Sequence, residues 1–300
     1  MSIKVIRKQV ISSKKEHDSL LTFDDKYVII KEQVVSVVIG DCCMLKDVLD
    51  SDVEKIYVTK SERMRGSSSS LGNQIKWKHG NKFIKLNCLG YEDIAEVLVS
   101  RLLHYTDLNK NEYVDYFSCQ IIEDGVLLGN GCYSYDFLNE GIEVTVSSIL
   151  DDNLLPYSIS YDDLREELYD IVGFDVKSYF DKILSIDSIT RNEDRHFKNI
   201  SFILRDEKYI PSPIFDNGDS CMSDLISHPM SVPFDVNICS CYAKPFKQNY
   251  KDNFSSNVPL RIDVDSFFRE INVSEERSLR ALKTIEYGLK DMEGISWIRC

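Results

Sequence analysis

Three polar residues in the second half of the chain have the types and the spacing that a metal-assisted phosphate transfer requires. Asp194 is followed five residues later by Asn199, and Asp216 comes after a segment that is predicted to form a β-hairpin. One carboxylate can orient or deprotonate an attacking hydroxyl, while an amide oxygen and a second carboxylate can hold Mg²⁺ against phosphate groups. Because the hairpin returns the chain to its starting edge, we expect the three side chains to lie together.

Each of these residues alone would also fit an ordinary loop. Asp194 could cap a turn, and Asp216-Asn217-Gly218 is a strong turn sequence. The order decides between the two interpretations. An acid, an amide, a hairpin and a second acid before Gly follow one another as they do in phosphotransferases of the protein-kinase type.

The letters around the first acid resemble a particular group of these enzymes. Conventional protein kinases have His-Arg-Asp, whereas this chain has Asp194-Arg195-His196. Asp-x-His-x-x-Asn resembles the catalytic loop of HipA-like serine/threonine kinases, and the form Asp-Arg-His-x-x-Asn is shared with phosphatidylinositol 3/4-kinases. The whole chain looks more like the short CtkA-type variants of HipA-like kinases. The motif resemblance covers roughly residues 66–96 and 187–218.

This resemblance implies a fold, cofactors and roles for individual residues. The fold would be α+β and bilobal, with a β-rich N-lobe and a mainly helical C-lobe, and the cofactors would be ATP and Mg²⁺. Asp194 would be the catalytic base or orienting group, and Asn199 and Asp216 the metal ligands. By resemblance to the lipid kinases His196 would contribute to the reaction, although a single histidine in a loop is more often a structural hydrogen-bonding group.

Two further residues of the motif, Asn217 and Arg195, need separate interpretation. Asn217 stands where conventional kinases have the packing Phe of Asp-Phe-Gly, so switching by that Phe is in doubt here. Arg195 would balance the clustered acids or would be solvated.

A lysine and a glutamate in the first half fit the nucleotide end of such a site. In a strand containing Ile84, Lys85 and Leu86, the lysine faces away from the two apolar residues, and its ammonium could reach the α- and β-phosphates. The helix that follows offers Glu92 and Glu96 on one face, and the deeper Glu96 is the first choice as partner. Lys85 could instead be a solvated strand lysine, with Lys82, Lys78 and Lys76 as rivals.

The Ser/Gly segment at residues 66–72 allows two interpretations. It could be a flexible linker, or a loop that covers the phosphates, for which Ser69, Ser70 and Gly72 are the candidates. It lacks Gly-x-Gly-x-x-Gly but loosely resembles the HipA-family loop, in which a Ser is autophosphorylated.

The pattern of elements predicts a division into residues 1–118, the β-rich N-lobe, and 119–300, the helical C-lobe. Strands over 74–78 and 82–87, joined by a turn at Gly80, precede a helix over 91–103. Residues 114–119 would form the hinge. Beyond it we expect mostly helix, most clearly over 161–172, 176–185, 263–271 and 275–292.

Composition narrows the range of partners. The net charge of −13, from 49 acidic and 36 basic residues, opposes non-specific nucleic-acid binding and docking on anionic membranes. It serves solubility or a preference for a basic protein substrate. No apolar stretch approaches the ~18 residues of a membrane span. The nine cysteines include no Cys-x-x-Cys pair, so reduced thiols and a cytoplasmic location are expected.

The leading hypothesis is therefore an autophosphorylating, ATP- and Mg²⁺-dependent serine/threonine protein kinase. A phosphatidylinositol-type lipid kinase and a small-molecule phosphotransferase are alternatives from the same chemistry. A nucleotide-binding pseudokinase or interaction module is a third class. Short length and acidity count against the lipid kinase, and the intact acid-amide-acid set counts against the pseudokinase. A regulatory partner would leave no motif in this sequence.

Overall fold

A computed structural model describes residues 53–64, 74–150, 159–246, 249–253 and 260–292. It also gives the backbone of a three-stranded antiparallel sheet formed by β1 (Thr22–Asp24), β2 (Tyr27–Ile30) and β3 (Gln33–Val35). The predicted phosphate loop at 66–72, with Ser69, Ser70 and Gly72, lies outside the described residues.

A five-stranded sheet dominates the first half of the described chain. Its strands are β4 (Glu54–Val58), β5 (Lys76–His79), β6 (Lys82–Leu86), β7 (Phe117–Glu123) and β8 (Val126–Tyr135). They are ordered β4-β7-β8-β6-β5, with β4 and β7 parallel and the other pairs antiparallel. Gly80 closes the β5–β6 turn at φ +57°, a conformation that costs glycine little. Trp77 and Ile84 are fully buried where these two strands pair.

Helix α1 (Glu92–Leu103) packs between this sheet and the helical half. Almost all of its residues are buried, which is why its sequence is apolar on more than one face. Leu98 and Leu102 belong to the main core with the later helices, whereas Val97 packs with Cys132 of β8 and with Phe215. The helix therefore couples the sheet to the segment that contains Asp216.

The second half is mainly helical and contains a small antiparallel sheet. The remaining helices are α2 (Val146–Leu150), α3 (Tyr161–Val172), α4 (Lys177–Thr190), α5 (Phe234–Ser240), α6 (Tyr250–Asn253), α7 (Val264–Glu270) and α8 (Glu276–Asp291). The sheet has the order β11-β10-β9 and consists of β9 (Ile142–Thr145), β10 (Ser201–Arg205) and β11 (Lys208–Pro211).

Helices α4 and α8 meet at a very close contact. A Cβ atom added at Gly288 would lie 1.9 Å from the carbonyl oxygen of Ile189, near the end of α4. Only glycine fits there, so this contact fixes the position of the helix that leads into residues 191–199.

The α+β class, with a β-rich first half and a mainly helical second half, is confirmed. The expected division after residue 118 falls inside β7 and stays a prediction. Strands β7 and β8 pair over most of their length in the same sheet as β6, so the sheet continues to Tyr135. The expected hinge at 114–119 therefore enters β7, and the chain leaves the sheet only after β8. Among the described residues, no helix is long and apolar enough to span a membrane.

Candidate active site

Lys85 lies at the centre of a buried ion cluster between the sheet and the helical half. Its Nζ is 2.6 Å from Oε1 of Glu96 and 2.6 Å from Oδ1 of Asp216. Ile84, its neighbour in β6, packs in the sheet core, so strand alternation turns Lys85 to the opposite face. The structure thus brings together three residues that the sequence placed far apart.

The choice between the two glutamates follows from their hydrogen bonds. Glu92 accepts backbone N–H groups of Cys88, Leu89 and Gly90 at 2.6–2.9 Å, so it closes the loop before α1. Glu96 contacts Lys85 through Oε1, and its Oε2 accepts the backbone N–H of Asn217 at 2.9 Å. Glu96 is therefore the residue of α1 that touches both Lys85 and the segment of Asp216.

The rival lysines have other contacts. Lys82 pairs with Glu54 and Lys78 with Asp136, both away from the cluster. Lys76 belongs to it, because its Nζ lies 3.9 Å from Oδ2 of Asp216. Two ammonium groups thus converge on one carboxylate.

This convergence sets the charges of the cluster. Burial alone would lower the pKa of Lys85, but the carboxylates of Asp216 and Glu96 raise it well above its usual range. Burial would raise the pKa of Asp216, but Lys76 and Lys85 outweigh it and lower that pKa far below the usual range. Both groups are therefore charged at neutral pH. Burial lowers the pKa of Lys76, and Asp216 partly opposes that change.

Arg195 organises the loop that contains Asp194. Only 1% of it is exposed, and its Nε and Nη2 form a two-pronged ion pair with Asp187 of α4 at 2.9 and 3.0 Å. Its other hydrogen bonds go to Oδ1 of Asn217 at 2.8 Å and to the backbone carbonyls of Asn199 and Phe215 at 3.0 and 2.8 Å. These five contacts use all five donors of a guanidinium. Arg195 therefore joins the Asp194 loop to the Asp216 segment and is not solvated.

In the side-chain amide of Asn199, the nitrogen forms a hydrogen bond within the described residues and the oxygen does not. Its Nδ2 donates to the backbone carbonyl of Asp194 at 3.0 Å. Its Oδ1 is buried and has no hydrogen-bond partner in the part of the chain that the structure describes. A buried carbonyl oxygen without a donor is costly, and a cation would satisfy it. With the ionised Asp216, this oxygen makes the donor set suitable for Mg²⁺.

Asp194 and His196 lie at a more open edge. The Asp194 side chain is 43% exposed, its Oδ2 is 3.6 Å from Nε2 of His196, and its Oδ1 is 3.6 Å from Nζ of Lys244. Nδ1 of His196 is buried without a hydrogen-bond partner among the described residues. A hydroxyl group arriving from solvent can therefore reach the Asp194 carboxylate.

An apolar cleft continues from Lys85 along the face of the sheet. Residues from both halves line it: Met64, Lys76, Phe83, Ile84, Lys85, Tyr116, Ser134, Phe137, Leu138, Glu143 and Phe215. The hydroxyl of Tyr116 accepts the backbone N–H of Asp216 at 3.3 Å, so this wall also positions the acid. Asp216 itself has φ +58°, a conformation that Asp tolerates better than most residues.

Sequence reasoning missed several of these contacts. Tyr116 lies outside the motif, and its partner Asp216 is 100 residues away. Asp187 lies at the edge of the motif, and its pairing with Arg195 was not predicted. Asn217 did carry a signal, because an amide in place of the usual Phe can bond to the buried Arg195. The convergence of Lys76 on Asp216 could have been read from its position opposite Lys85 in the β5–β6 pair.

No family model and no curated protein matches this chain. Among solved structures, its fold is similar to that of the Helicobacter pylori proinflammatory kinase CtkA, with a TM-score of 0.55 and 14% identity over 79% of this chain and 94% of that one. HipA of Shewanella oneidensis MR-1, solved with HipB and operator DNA, gives a TM-score of 0.39 and 12% identity over 79% of this chain and 61% of that one. The similarity to CtkA confirms the expected fold: the chain folds like that protein.

Proposed function

We propose that the protein is an ATP- and Mg²⁺-dependent serine/threonine protein kinase of the HipA-like type. One observation carries the proposal: the ammonium of Lys85 contacts both Glu96 and Asp216 at 2.6 Å. The first contact ties a strand lysine to a buried helix, and the second places it beside the acid expected to hold a metal ion. Kinases need this combination before they can bind the phosphates of ATP productively.

The nucleotide would occupy the cleft beside Lys85. Its base would lie among the apolar side chains, of which Phe83, Phe137 and Phe215 are the largest. Its phosphates would meet the ammonium groups of Lys76 and Lys85, which in the free protein both face Asp216. Phosphate oxygens would replace part of that contact, so the two lysines are preorganised for an anionic ligand.

Asp216 and Asn199 would hold Mg²⁺, which neutralises charge that develops on the transferred phosphate. The ionised carboxylate of Asp216 and the unpartnered Oδ1 of Asn199 support this assignment. Arg195 supports both ligands indirectly, because it bonds to the carbonyl of Asn199 and to the side chain of Asn217.

The acceptor would approach from the Asp194 side. The exposed carboxylate would accept the proton of the attacking hydroxyl, or orient that hydroxyl toward the phosphate. His196, 3.6 Å away, would stabilise charge on the transferred group when protonated. Lys244 lies equally close to Asp194, on its other carboxylate oxygen.

The net charge of −13 supports a basic protein as the substrate. The described cysteines are all free thiols, which supports action in a reducing compartment such as the cytoplasm. A Ser of residues 67–70 is the proposed site of autophosphorylation. A phosphate there would add about −1.5 to −2 charges beside those of ATP and would weaken nucleotide binding.

The test is transfer of labelled γ-phosphate from ATP in Mg²⁺. Four parallel reactions contain the protein alone, a basic protein such as histone, phosphoinositide vesicles or a panel of small hydroxyl compounds. We expect labelled phosphoserine or phosphothreonine on the protein itself and on the basic protein, and loss of all label when EDTA is added. Label only on lipid or on small molecules would favour the corresponding alternative. ATP binding without any transfer would favour a pseudokinase.

Mass spectrometry of protein incubated with Mg-ATP locates the autophosphorylation site. Phosphate within Ser67–Ser70 that is absent from Asp194→Asn would support the loop assignment. Phosphate only at other positions would reduce this segment to a linker.

A further inference from the structure

A second cluster of potential ligands lies behind the catalytic loop. Glu193 directly precedes Asp194, His228 lies between β11 and α5, and Cys241 follows α5. One ligand atom of each lies within 4.8 Å of the others. Glu193 and His228 are buried and Cys241 is partly buried, so this is not an ordinary surface group of acids.

We propose that Glu193, His228 and Cys241 form a binding site for one Zn²⁺ ion, separate from the Mg²⁺ site. A carboxylate, an imidazole and a thiolate are the three ligand types that Zn²⁺ combines in proteins, whereas Mg²⁺ avoids sulfur. With Glu193 and Cys241 ionised and His228 neutral, their two negative charges balance the ion. Zn²⁺ could therefore be buried there without an uncompensated charge.

The distances need only a small adjustment. A tetrahedral ion with bonds of about 2.0–2.3 Å holds its ligand atoms roughly 3.3–3.8 Å apart. Sγ of Cys241 lies 3.9 Å from Nε2 of His228, close to that range. Oε2 of Glu193 hydrogen-bonds directly to the same Nε2, so these two atoms must separate by about 1 Å to admit an ion.

The surrounding hydrogen bonds already orient the side chains of Glu193 and His228. Oε1 of Glu193 accepts the backbone N–H of Tyr242 at 3.2 Å, which leaves Oε2 for His228 or an ion. On the far side of the ring, Oγ of Ser240 lies 3.4 Å from Nδ1 of His228. Contacts to the outer nitrogen of a metal-binding histidine fix its ring orientation in the same way.

A buried hydrogen bond between Glu193 and His228 is the simpler explanation of the pair. The Cys241 thiol also donates to the carbonyl oxygen of Asn237 at 3.7 Å, a contact that it would give up on binding an ion. Burial and the nearby Glu193 raise the pKa of the Cys241 thiol, so the metal-free protein holds it protonated at neutral pH. Binding therefore requires that the thiol lose its proton to solvent as the Zn–S bond forms. Water would complete the coordination.

Such an ion would hold the loop that contains Asp194 in place. It would join Glu193, the neighbour of Asp194, to the segment that follows α5. The hydroxyl of Tyr250 already links these two segments, because it lies 3.0 Å from the carbonyl oxygens of both Asn192 and Tyr242. The site does not rest on the proposed kinase function, and metal binding can be measured without phosphate transfer.

The test uses Co²⁺ as a spectroscopic substitute for Zn²⁺. The full chain is stripped of metals, returned to millimolar Mg²⁺ to occupy the other site, and titrated with Co²⁺ and then with Zn²⁺. We expect one equivalent of Co²⁺ to produce a thiolate-to-cobalt charge-transfer band, which Zn²⁺ abolishes. Zn²⁺ should also raise Tm, because it binds the folded state.

The variants locate the site. Cys241→Ser should abolish the charge-transfer band, and His228→Gln should weaken metal binding by at least about tenfold, since even outer contacts of metal ligands are worth 10–100-fold. Cys239→Ser is the matched control, because this exposed cysteine lies two residues away and outside the cluster. Should a variant fold poorly, the other variant and the wild-type titration still decide. A band that survives Cys241→Ser, or no stoichiometric Co²⁺ binding by the wild type, would overturn the proposal.

Discussion

The ammonium of Lys85 and the carboxylate of Glu96 form a buried ion pair, 2.6 Å apart, that joins strand β6 to helix α1. Glu92 lies one turn earlier on the same helix, yet it accepts hydrogen bonds from the N–H groups of the loop before the helix. The same chemical group therefore has two different functions within four residues: Glu92 shapes the entry to the helix, and Glu96 orients the lysine.

We expect Lys85→Met to weaken ATP use strongly, and Glu96→Ala to weaken it in part through the same contact. Residues that act as a unit are not additive, so the double variant should be little worse than Lys85→Met alone. Steady-state kinetics of the four proteins measure the coupling. Losses that simply multiply would mean that the pair does not act together.

Glu92→Ala is the matched control for this cycle. It leaves three backbone N–H groups without their acceptor, so it should lower the free energy of unfolding, by about 1–3 kcal/mol. Its effect on ATP use should be independent of Lys85. Coupling of Glu92 to Lys85 as strong as that of Glu96 would contradict the assignment.

Asp216→Ala should make nucleotide binding weak and insensitive to Mg²⁺, because it removes the ionised ligand on which Lys76 and Lys85 converge. Calorimetric titration with ATP, with and without Mg²⁺, measures this directly. Asp206→Ala, at an exposed turn, controls for the loss of an acid. A normal Mg²⁺ response in Asp216→Ala would place the metal elsewhere.

Arg195→Met should be strongly destabilising, by roughly 3–5 kcal/mol, because it leaves the buried carboxylate of Asp187 without its partner. Burial already raises the pKa of Asp187, with Arg195 opposing that change. Adding Asp187→Asn should therefore recover part of the lost stability. Urea denaturation of the single and double variants tests this. Additive losses would show that the pair is not coupled.

Asp219 should make stability fall with rising pH. Burial, together with Asp194, Glu193 and Asp224, raises its pKa from 3.8 to about 8. Between these two values the unfolded carboxyl is ionised and the folded one is protonated. Unfolding then releases a proton and becomes easier by on the order of 1 kcal/mol per pH unit.

Asp219→Asn removes that dependence, so the variant should gain stability over the wild type as pH rises from about 4 to about 8. Urea denaturation without divalent ions, at several pH values, measures the difference, with Asp206→Asn as the control. Parallel curves for wild type and Asp219→Asn would contradict the prediction.

Local pattern was enough to predict the elements that carry the site. The β5–β6 turn at Gly80, the Lys85 strand, helix α1 and the β10–β11 hairpin each follow from alternation, helical spacing or turn residues within a short segment. Their order along the chain predicted that Lys85, Glu96, Asn199 and Asp216 would lie together. The first, second and fourth are in contact, and Asn199 is linked to the Asp216 segment through Arg195.

Contacts between distant segments were not predictable in the same way. Strand β8 contains Gly129 and Gly131, which interrupt strand patterning, so its sheet pairing was missed and the end of the sheet was placed too early. Arg195 was difficult because arginine is rarely buried, and only its partners in α4 and around Asn217 make burial possible. His228 and Cys241 are far from Glu193 in sequence and come together with it only when the loops pack. No motif with a fixed spacing therefore indicates this cluster in the sequence.

The most direct test of the proposed kinase is phosphate transfer by Asp194→Asn beside its affinity for Mg-ATP. The Asp194 side chain is 43% exposed and its ion-pair contacts, to His196 and Lys244, are 3.6 Å long, so folding and nucleotide affinity should stay close to wild type. Transfer should slow by roughly 10²- to 10⁴-fold, the usual contribution of a general base. Asp162→Asn, whose side chain is 83% exposed on α3, should transfer normally. Transfer by Asp194→Asn within about threefold of wild type, far less than a base contributes, would contradict the account.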